Sequence, residues 1–276
     1  MYRIEANGAQ IPAIGLGTWT LRDEEAVRLV SHAIGAGYRH VDTAAMYENE
    51  AAVGEGIRAA GLPRDEIFLT TKIWHTDLAE GALQRSVEAS LQRLGFDAVD
   101  LALVHWPSKT IPLAETIKAL DEVKSRGLAR HIGLSNFTVR QIEEAVALSA
   151  HPIACNQVEY HPRLDQTPVL AACRKYGLAL VSYCPLFRGG ALFSEEPIAG
   201  LAAKYAKTPA QVVLRWHVQQ EGVAAIPRSQ RPERIEENLA VFDFALEEAD
   251  MAAISALRSS NDRICDFDFS PVWDAA

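Results

Sequence analysis

Short runs of apolar residues alternate along the chain with longer segments in which apolar residues recur every three or four positions. This helical spacing covers residues 24–36, 50–60, 81–94, 113–125, 139–148, 168–176 and 210–220. The short apolar runs predict eight strands, which end near Gly17, Asp42, Lys72, His105, Ser135, Gln157, Tyr183 and Ile226. Eight strands, each followed by a helix, are typical of an α/β fold of the (β/α)8 TIM-barrel type. We therefore expect a single domain of this fold over residues 1–276.

Both ends of the chain add elements to this pattern. Asn7-Gly8 lies between two short extended segments and is typical of a tight hairpin turn. After the last strand, residues 232–240 and 246–257 again have helical spacing. The first strand is followed by no GxGxxG sequence, so a Rossmann mode of nucleotide binding is disfavoured. The sequence predicts a barrel with an N-terminal β-hairpin and two extra C-terminal helices.

Composition and charge restrict the possible partners. The net charge is −9, and 49% of the residues are hydrophobic. The negative charge disfavours nucleic acid as a partner, and no apolar run approaches the roughly 18 residues of a membrane-spanning helix. The first residues do not resemble a signal peptide, and the four cysteines show no CxxC or metal-ligand spacing. We expect a cytoplasmic protein with free thiols and no metal, and a monomer without an obligate protein partner.

Polar side chains with complementary chemistry lie at or near the ends of three predicted strands. Asp42, Lys72 and His105 each follow an apolar run, and Tyr47 lies one short loop beyond Asp42. The carboxyl ends of parallel strands form one rim of a barrel, where active sites are found. An ammonium group beside a phenol lowers the phenol pKa, and a carboxylate keeps the ammonium group charged. This set suits carbonyl reduction, with Tyr47 as the proton donor, Lys72 and Asp42 adjusting its pKa, and His105 assisting.

Several sequence segments together resemble the aldo-keto reductase family over essentially the whole chain. They are Ile14 to Trp19, Gly37 to Ala44 with Tyr47, Thr71-Lys72, Asp100 to Pro107, Ile132 to Phe137, Asn156-Gln157, Tyr183 to Leu186 and Ile226 to Ser229. The resemblance implies that Asp42, Tyr47, Lys72 and His105 are the catalytic tetrad. It also implies NADPH as the cofactor, bound in an extended pose. Asn261 to Arg263 and Phe269 to Trp273 resemble the bacterial 2,5-diketo-D-gluconate reductase branch, which also reduces methylglyoxal.

The resemblance assigns the cofactor site residue by residue. It implies that Ser135, Asn136 and Gln157 bind the nicotinamide carboxamide and that Tyr183 stacks on the ring. It implies that the segment from Arg228 to Arg234 holds the 2′-phosphate. The remaining residues assigned to this site are Gly17, Thr18, Trp19, Pro185, Leu186, Arg188, Ile226, Pro227, Ser229, Glu237 and Asn238, the last two near the adenine. The chain departs from the usual pattern at Arg228, where many members have Lys, at Cys184 for Ser, and at Arg188, which could reach the pyrophosphate or an acidic substrate.

Aromatic residues are expected to frame the substrate pocket. The predicted pocket residues are Trp19, Met46, Trp74, His105, Trp106, Phe187 and Trp273. The loop after Pro107 is short, so we expect small aldehydes, ketones or dicarbonyl compounds as substrates rather than steroids.

Three other readings of the sequence remain open to test. A Schiff-base aldolase would also use a lysine at a strand end, but it would leave Tyr47 and the arginine cluster without a role. A metal-dependent hydrolase is less well supported, because no HxH pair or carboxylate cluster offers ligands. A cofactor-sensing subunit of another complex would differ from an enzyme by lacking steady-state turnover.

Overall fold

Eight parallel strands form the centre of the protein in the computed structural model, which describes residues 2–274. A separate antiparallel pair is formed by β1, Arg3–Ala6, and β2, Ala9–Pro12. The eight strands are β3 Leu16–Gly17, β4 His40–Asp42, β5 Phe68–Ile73, β6 Val99–Val104, β7 Ala129–Ser135, β8 Ile153–Glu159, β9 Ala179–Tyr183 and β10 Val223–Ala225. Each pairs with its neighbour in chain order from β3 to β10. The predicted α/β class and TIM-barrel fold are confirmed.

The sheet curls until its first and last strands meet. The Gly15 N–H donates to Ala225 O at 2.9 Å, and the Ala225 N–H donates to Ala13 O at the same distance. Further along, the Gly17 N–H donates to Pro227 O at 3.1 Å. A Cβ atom on Gly17 would lie 2.8 Å from Ile226 O, so a larger residue at position 17 would separate these segments. The barrel is therefore closed between β3 and β10.

Ten α-helices surround the barrel within residues 2–274. They are α1 Asp23–Gly35, α2 Glu50–Ala59, α3 Ala82–Leu94, α4 Leu113–Ser125, α5 Val139–Leu148, α6 Thr167–Lys175, α7 Glu196–Tyr205, α8 Pro209–Gln219, α9 Pro232–Leu239 and α10 Glu248–Ser255. The two C-terminal helices α9 and α10 are present as predicted. Helix α7 was not predicted, although its buried residues Ile198, Leu201 and Ala202 have helical spacing. None of the helices in the described part of the chain is both long and apolar enough to span a membrane.

The hairpin and the C-terminal tail lie at opposite ends of the barrel. Asn7 and Gly8 have positive φ angles of 47° and 84°, as a type I′ turn requires, so the predicted tight hairpin turn is present. The Asn7 side chain donates to the carbonyl oxygens of Ile153, where β8 begins, and Tyr176, before β9. The tail, residues 261–274, instead packs on Trp106 beyond the end of β6. The carboxyl rim is therefore the end covered by the tail.

Candidate active site

A buried ion pair lies at the carboxyl rim. Lys72 and Asp42 are each 1% exposed. The Lys72 Nζ donates to Asp42 Oδ1, and also to Thr43 O at 2.9 Å. The second oxygen, Asp42 Oδ2, accepts from Gln157 Nε2 at 2.7 Å. Because each charge has a charged partner and a further hydrogen bond, the pair can remain ionised inside the barrel.

Tyr47 lies beside this pair on a short 3-10 turn, Ala45–Tyr47. Its Oη atom is 3.4 Å from Lys72 Nζ, which also lies 4.9 Å from the ring centroid. The Arg22 guanidinium donates to the Tyr47 carbonyl oxygen and so fixes this turn from the β3–α1 loop. The sequence reasoning missed Arg22, since nothing in its local pattern indicates a contact 25 residues away.

His105 completes the group and is 6% exposed. Its ring lies edge-on to Tyr47, with centroids 5.7 Å apart, and edge-on to Trp74 at 5.1 Å. Burial, together with the charge of Lys72, lowers the pKa of His105 well below its ordinary value. The imidazole is therefore neutral at physiological pH, where it can form hydrogen bonds but holds no positive charge.

The pKa of Tyr47 shifts in the direction opposite to the one predicted. Burial raises this pKa well above 10, and the negative charge of Asp42 raises it further. The nearby charge of Lys72 does not reverse this shift, because it is balanced by Asp42 and burial lowers the pKa of the lysine itself. Tyr47 is thus a protonated phenol, which is the form that can give a proton away.

The residues assigned to the nicotinamide lie together beside the ion pair. Asn136, with a positive φ of 64°, follows the end of β7 and donates from Nδ2 to His105 O at 3.0 Å and to Ser135 Oγ at 3.2 Å. Tyr183 Oη donates to Asn136 Oδ1 at 2.7 Å. Hydroxyl and carboxamide groups of Ser135, Asn136 and Gln157 can both donate and accept hydrogen bonds. This donor and acceptor set fits the carboxamide of a nicotinamide.

The segment after β10 carries the predicted phosphate site. Arg228, Arg231 and Arg234 are exposed and flank the N-terminus of α9, a combination that suits a phosphate dianion. Arg228 donates from Nε to Trp19 O at 3.2 Å and also to the Thr20 hydroxyl. Its guanidinium is therefore attached to the β3–α1 loop.

Other assigned cofactor residues have structural contacts of their own. Thr18 Oγ1 donates to Asp42 O at 2.9 Å, and Pro185 O lies 3.1 Å from His217 Nε2. Glu237 accepts from the Thr208 hydroxyl at 2.5 Å. Arg188 is exposed, with a φ of 57°, and its guanidinium contacts the Cys184 thiol. Of the remaining assigned residues, Gly17, Leu186, Ile226, Pro227, Ser229 and Asn238 lie in or beside the same loops, and all but the partly exposed Leu186 are buried.

An aromatic cluster forms one side of the rim. The Trp106 ring is 5.3 Å from Phe269, 5.8 Å from Phe267 and 6.0 Å from Trp273. Phe269 also lies edge-on to Trp74 at 5.3 Å and stacks on His75 at 4.6 Å. The sequence reasoning missed Phe267 and Phe269, because only the folded tail brings them to the site. It also missed His75, which follows the end of β5 and stacks on Phe269.

The other predicted pocket residues lie apart from this cluster. Trp19 and Met46 are 46% and 40% exposed, which is consistent with the mouth of a pocket. Phe187 instead packs on the His161 ring at 4.8 Å and under the Arg163 guanidinium at 5.4 Å. Phe187 therefore lies beside the segment after β8 that contains His161 and Arg163, and Arg163 also contacts the C-terminal tail.

Residues 13–259 match the Aldo/keto reductase family, and the chain belongs to that family. Aldo/keto reductases use NADPH, so the protein is an NADPH-dependent oxidoreductase. The chain is 43% identical over 267 residues to methylglyoxal reductase DkgB of Escherichia coli O157:H7, covering 96% of this chain and 99% of that protein. It is 41% identical to morphine 6-dehydrogenase of Pseudomonas putida, covering 91% and 89% of the two chains.

Solved structures agree with this assignment. A crystal structure provisionally described as a 2,5-diketo-D-gluconic acid reductase B superposes with a TM-score of 0.96 at 45% identity, covering 100% of this chain and 98% of that one. The Bombyx mori aldo-keto reductase in complex with NADP superposes with a TM-score of 0.89 at 34% identity, covering 96% and 94%. The predicted family is confirmed, as is the predicted resemblance to the diketogluconate and methylglyoxal reductase branch.

Proposed function

We propose that the protein reduces small aldehydes, ketones or dicarbonyl compounds to alcohols, with Tyr47 as the proton donor. The observation that carries this proposal is the phenol of Tyr47 lying within 3.4 Å of a buried, charge-balanced lysine. When bound, NADPH supplies the hydride that reduces the carbonyl carbon. The carbonyl oxygen then needs a proton, and a protonated phenol at the same rim can provide it.

The neighbouring residues support this assignment of roles. His105 is neutral, because burial lowers its pKa, and it therefore acts as a hydrogen-bonding group that orients the carbonyl oxygen. Lys72 holds a positive charge near Tyr47 Oη and stabilises the phenolate that remains after proton transfer. Asp42 keeps the lysine in place through the ion pair, and Gln157 in turn holds Asp42.

The proposed substrates follow from the pocket and from the relatives. The rings of Trp74 and Trp106 each contact Phe269 beside His105, and flat rings of this kind suit small planar carbonyl compounds. The similarity to methylglyoxal reductase DkgB favours a dicarbonyl. We also propose that residues 1–276 form a single domain. We further propose that the protein is cytoplasmic and has no obligate protein partner.

Steady-state rates of NADPH oxidation test the proposed function directly. We expect turnover with methylglyoxal and with nitrobenzaldehyde, and slower turnover with steroid ketones. Absence of turnover on every member of such a panel would favour a cofactor-sensing subunit instead. Trapping of a substrate on Lys72 by borohydride would favour a Schiff-base aldolase.

The arginines after β10 should determine the choice between NADPH and NADH. The 2′-phosphate of NADPH is close to a dianion, and charge-assisted bonds to Arg228 and Arg234 should make NADPH bind at least ~10²-fold more tightly than NADH. Arg234→Ala and Arg228→Ala should each weaken NADPH and leave NADH almost unchanged. The preference should shrink at high salt, because exposed charges are screened.

Fluorescence titration of both cofactors measures this preference. Arg85→Ala is the matched control, because Arg85 is an exposed arginine on α3, away from the β10–α9 segment. Equal affinity of the wild-type protein for NADH and NADPH would contradict the proposed phosphate site.

A further inference from the structure

The carboxylate of Glu159 lies at the end of β8 and holds the C-terminal tail. Its side chain is completely buried. Oε1 accepts the backbone N–H of Ile264 and Oε2 accepts that of Cys265, each at 2.7 Å. His161 Nε2 lies 2.9 Å from Oε1. One buried side chain thus binds two successive amides of a segment more than 100 residues away.

The charge on Glu159 makes this attachment strong. Burial alone would raise the pKa of the Glu159 carboxyl, but the hydrogen bond to His161 and the bonds from the two tail amides lower it below its ordinary value. The carboxylate is therefore ionised at neutral pH. Hydrogen bonds to an ionised acceptor are about twice as strong as neutral ones.

The tail held in this way supplies part of the aromatic cluster. Phe269 and Trp273 follow the anchored residues and contact Trp106, and Phe269 also contacts Trp74, whose ring lies edge-on to His105. A continuous series of contacts therefore runs from Glu159 through the tail to the side chains around His105.

Other attachments of the tail lie nearer the surface. Arg163 donates from Nε to Asp262 Oδ2 at 2.8 Å, and the Asp262 N–H donates to Arg163 O at 2.8 Å. The Lys109 ammonium donates to Asp268 O. The Arg163–Asp262 ion pair is partly exposed, and exposed ion pairs contribute little. Lys109 is exposed as well. Glu159, in contrast, attaches the tail through a completely buried side chain.

We propose that Glu159 is a positioning residue for substrate selection. It fixes the backbone at Ile264 and Cys265, so that Phe269 and Trp273 stand against Trp106 and limit the pocket to small carbonyl compounds. This inference rests on the proposed carbonyl reduction and adds to it the residue that sets the size limit.

Glu159→Gln tests the inference by a comparison of two substrates. The amide can accept from one tail N–H but cannot offer two ionised oxygens. We expect kcat/KM for methylglyoxal to fall about tenfold, mainly through KM. We expect kcat/KM for a bulky aryl ketone to fall less or to rise, while the affinity for NADPH stays unchanged. Phe269→Ala should change the ratio of kcat/KM for the two substrates in the same direction, since it removes one of the aromatic rings that limit the pocket.

Hydrogen exchange of the Ile264 and Cys265 amides provides a second measurement that does not depend on activity. Both amides should exchange about tenfold or more faster in Glu159→Gln than in the wild type. Glu143→Gln is the matched control. Glu143 is an exposed glutamate whose Oε1 lies 3.1 Å from Lys175 Nζ, and its substitution should change neither the exchange nor the substrate ratio.

Glu159→Asp covers the case in which the Gln variant does not fold. Aspartate keeps the buried charge but is too short to hold both amides, so the same changes should appear. Unchanged exchange and an unchanged substrate ratio in the folded variant would overturn the inference. Failure of the wild-type protein to reduce any carbonyl compound with NADPH would instead overturn the proposed function, and this would be seen before any variant is made.

Discussion

Tyr47→Phe should abolish carbonyl reduction while leaving NADPH binding nearly intact. Phenylalanine keeps the ring that packs beside His105 and Lys72 but removes the hydroxyl that holds the proton. The expected loss in kcat is at least the ~10²–10⁴-fold attributed to general acid catalysis. Steady-state rates and a fluorescence titration of NADPH on the same preparation measure the two quantities separately.

The backbone contacts indicate that Tyr47→Phe should leave the position of the turn unchanged. Arg22 holds the turn through the Tyr47 carbonyl oxygen, and that bond does not depend on the side chain. A variant that kept more than about a tenth of the wild-type turnover, under conditions in which chemistry limits the rate, would exclude Tyr47 as the proton donor. Tyr2→Phe is a suitable control, since Tyr2 packs on Phe242 and not at the rim.

Lys72→Met should have the second-largest effect, and it should act on both activity and stability. Without the ammonium group, the Asp42 carboxylate is buried beside Tyr47 with no charged partner. Breaking a buried ion pair in this way costs about 3–5 kcal/mol. The unbalanced negative charge also makes the phenolate less stable, so the pKa of Tyr47 should rise further and turnover should fall at least ~10²-fold.

A double variant separates the two effects of Lys72. Lys72→Met combined with Asp42→Asn removes both charges, so much of the lost free energy of unfolding should return while the activity stays low. Thermal unfolding and pH–rate profiles of the single and double variants measure this. The sign for the profiles is fixed: carbonyl reduction needs the protonated phenol, so a higher phenol pKa moves the alkaline limb of the reduction profile to higher pH. An unchanged profile in an active Lys72→Met variant would show that the lysine has no influence on the phenol.

The direction of the Tyr47 pKa shift is a property of the site that the sequence did not predict correctly. The sequence places a lysine near a tyrosine, and the charge of the lysine considered alone predicts a lowered phenol pKa. In the folded protein the lysine is paired with Asp42, and burial acts on the phenol and on the lysine. The net field at the phenol is therefore the sum of contributions that only the complete set of neighbours determines.

The alternation of apolar and polar residues was sufficient to predict the barrel and the rim that carries the candidate active site. Strand ends at Asp42, Lys72 and His105 follow from local pattern, because parallel strands in a barrel all point the same way. The hairpin turn at Asn7-Gly8 is equally local, since it depends on residues that tolerate positive φ. The family segments added the cofactor, because they occur as several motifs in a fixed order.

Only the tertiary structure decided which distant side chains meet. The bond from Gln157 to Asp42 joins residues 115 positions apart, and Glu159 holds amides 105 and 106 positions away. Phe269 reaches Trp74 and Trp106 through the same tail, although its sequence surroundings resemble an irregular surface segment. Such contacts depend on how the whole chain closes around the barrel, and local propensity and periodicity carry no information about that closure.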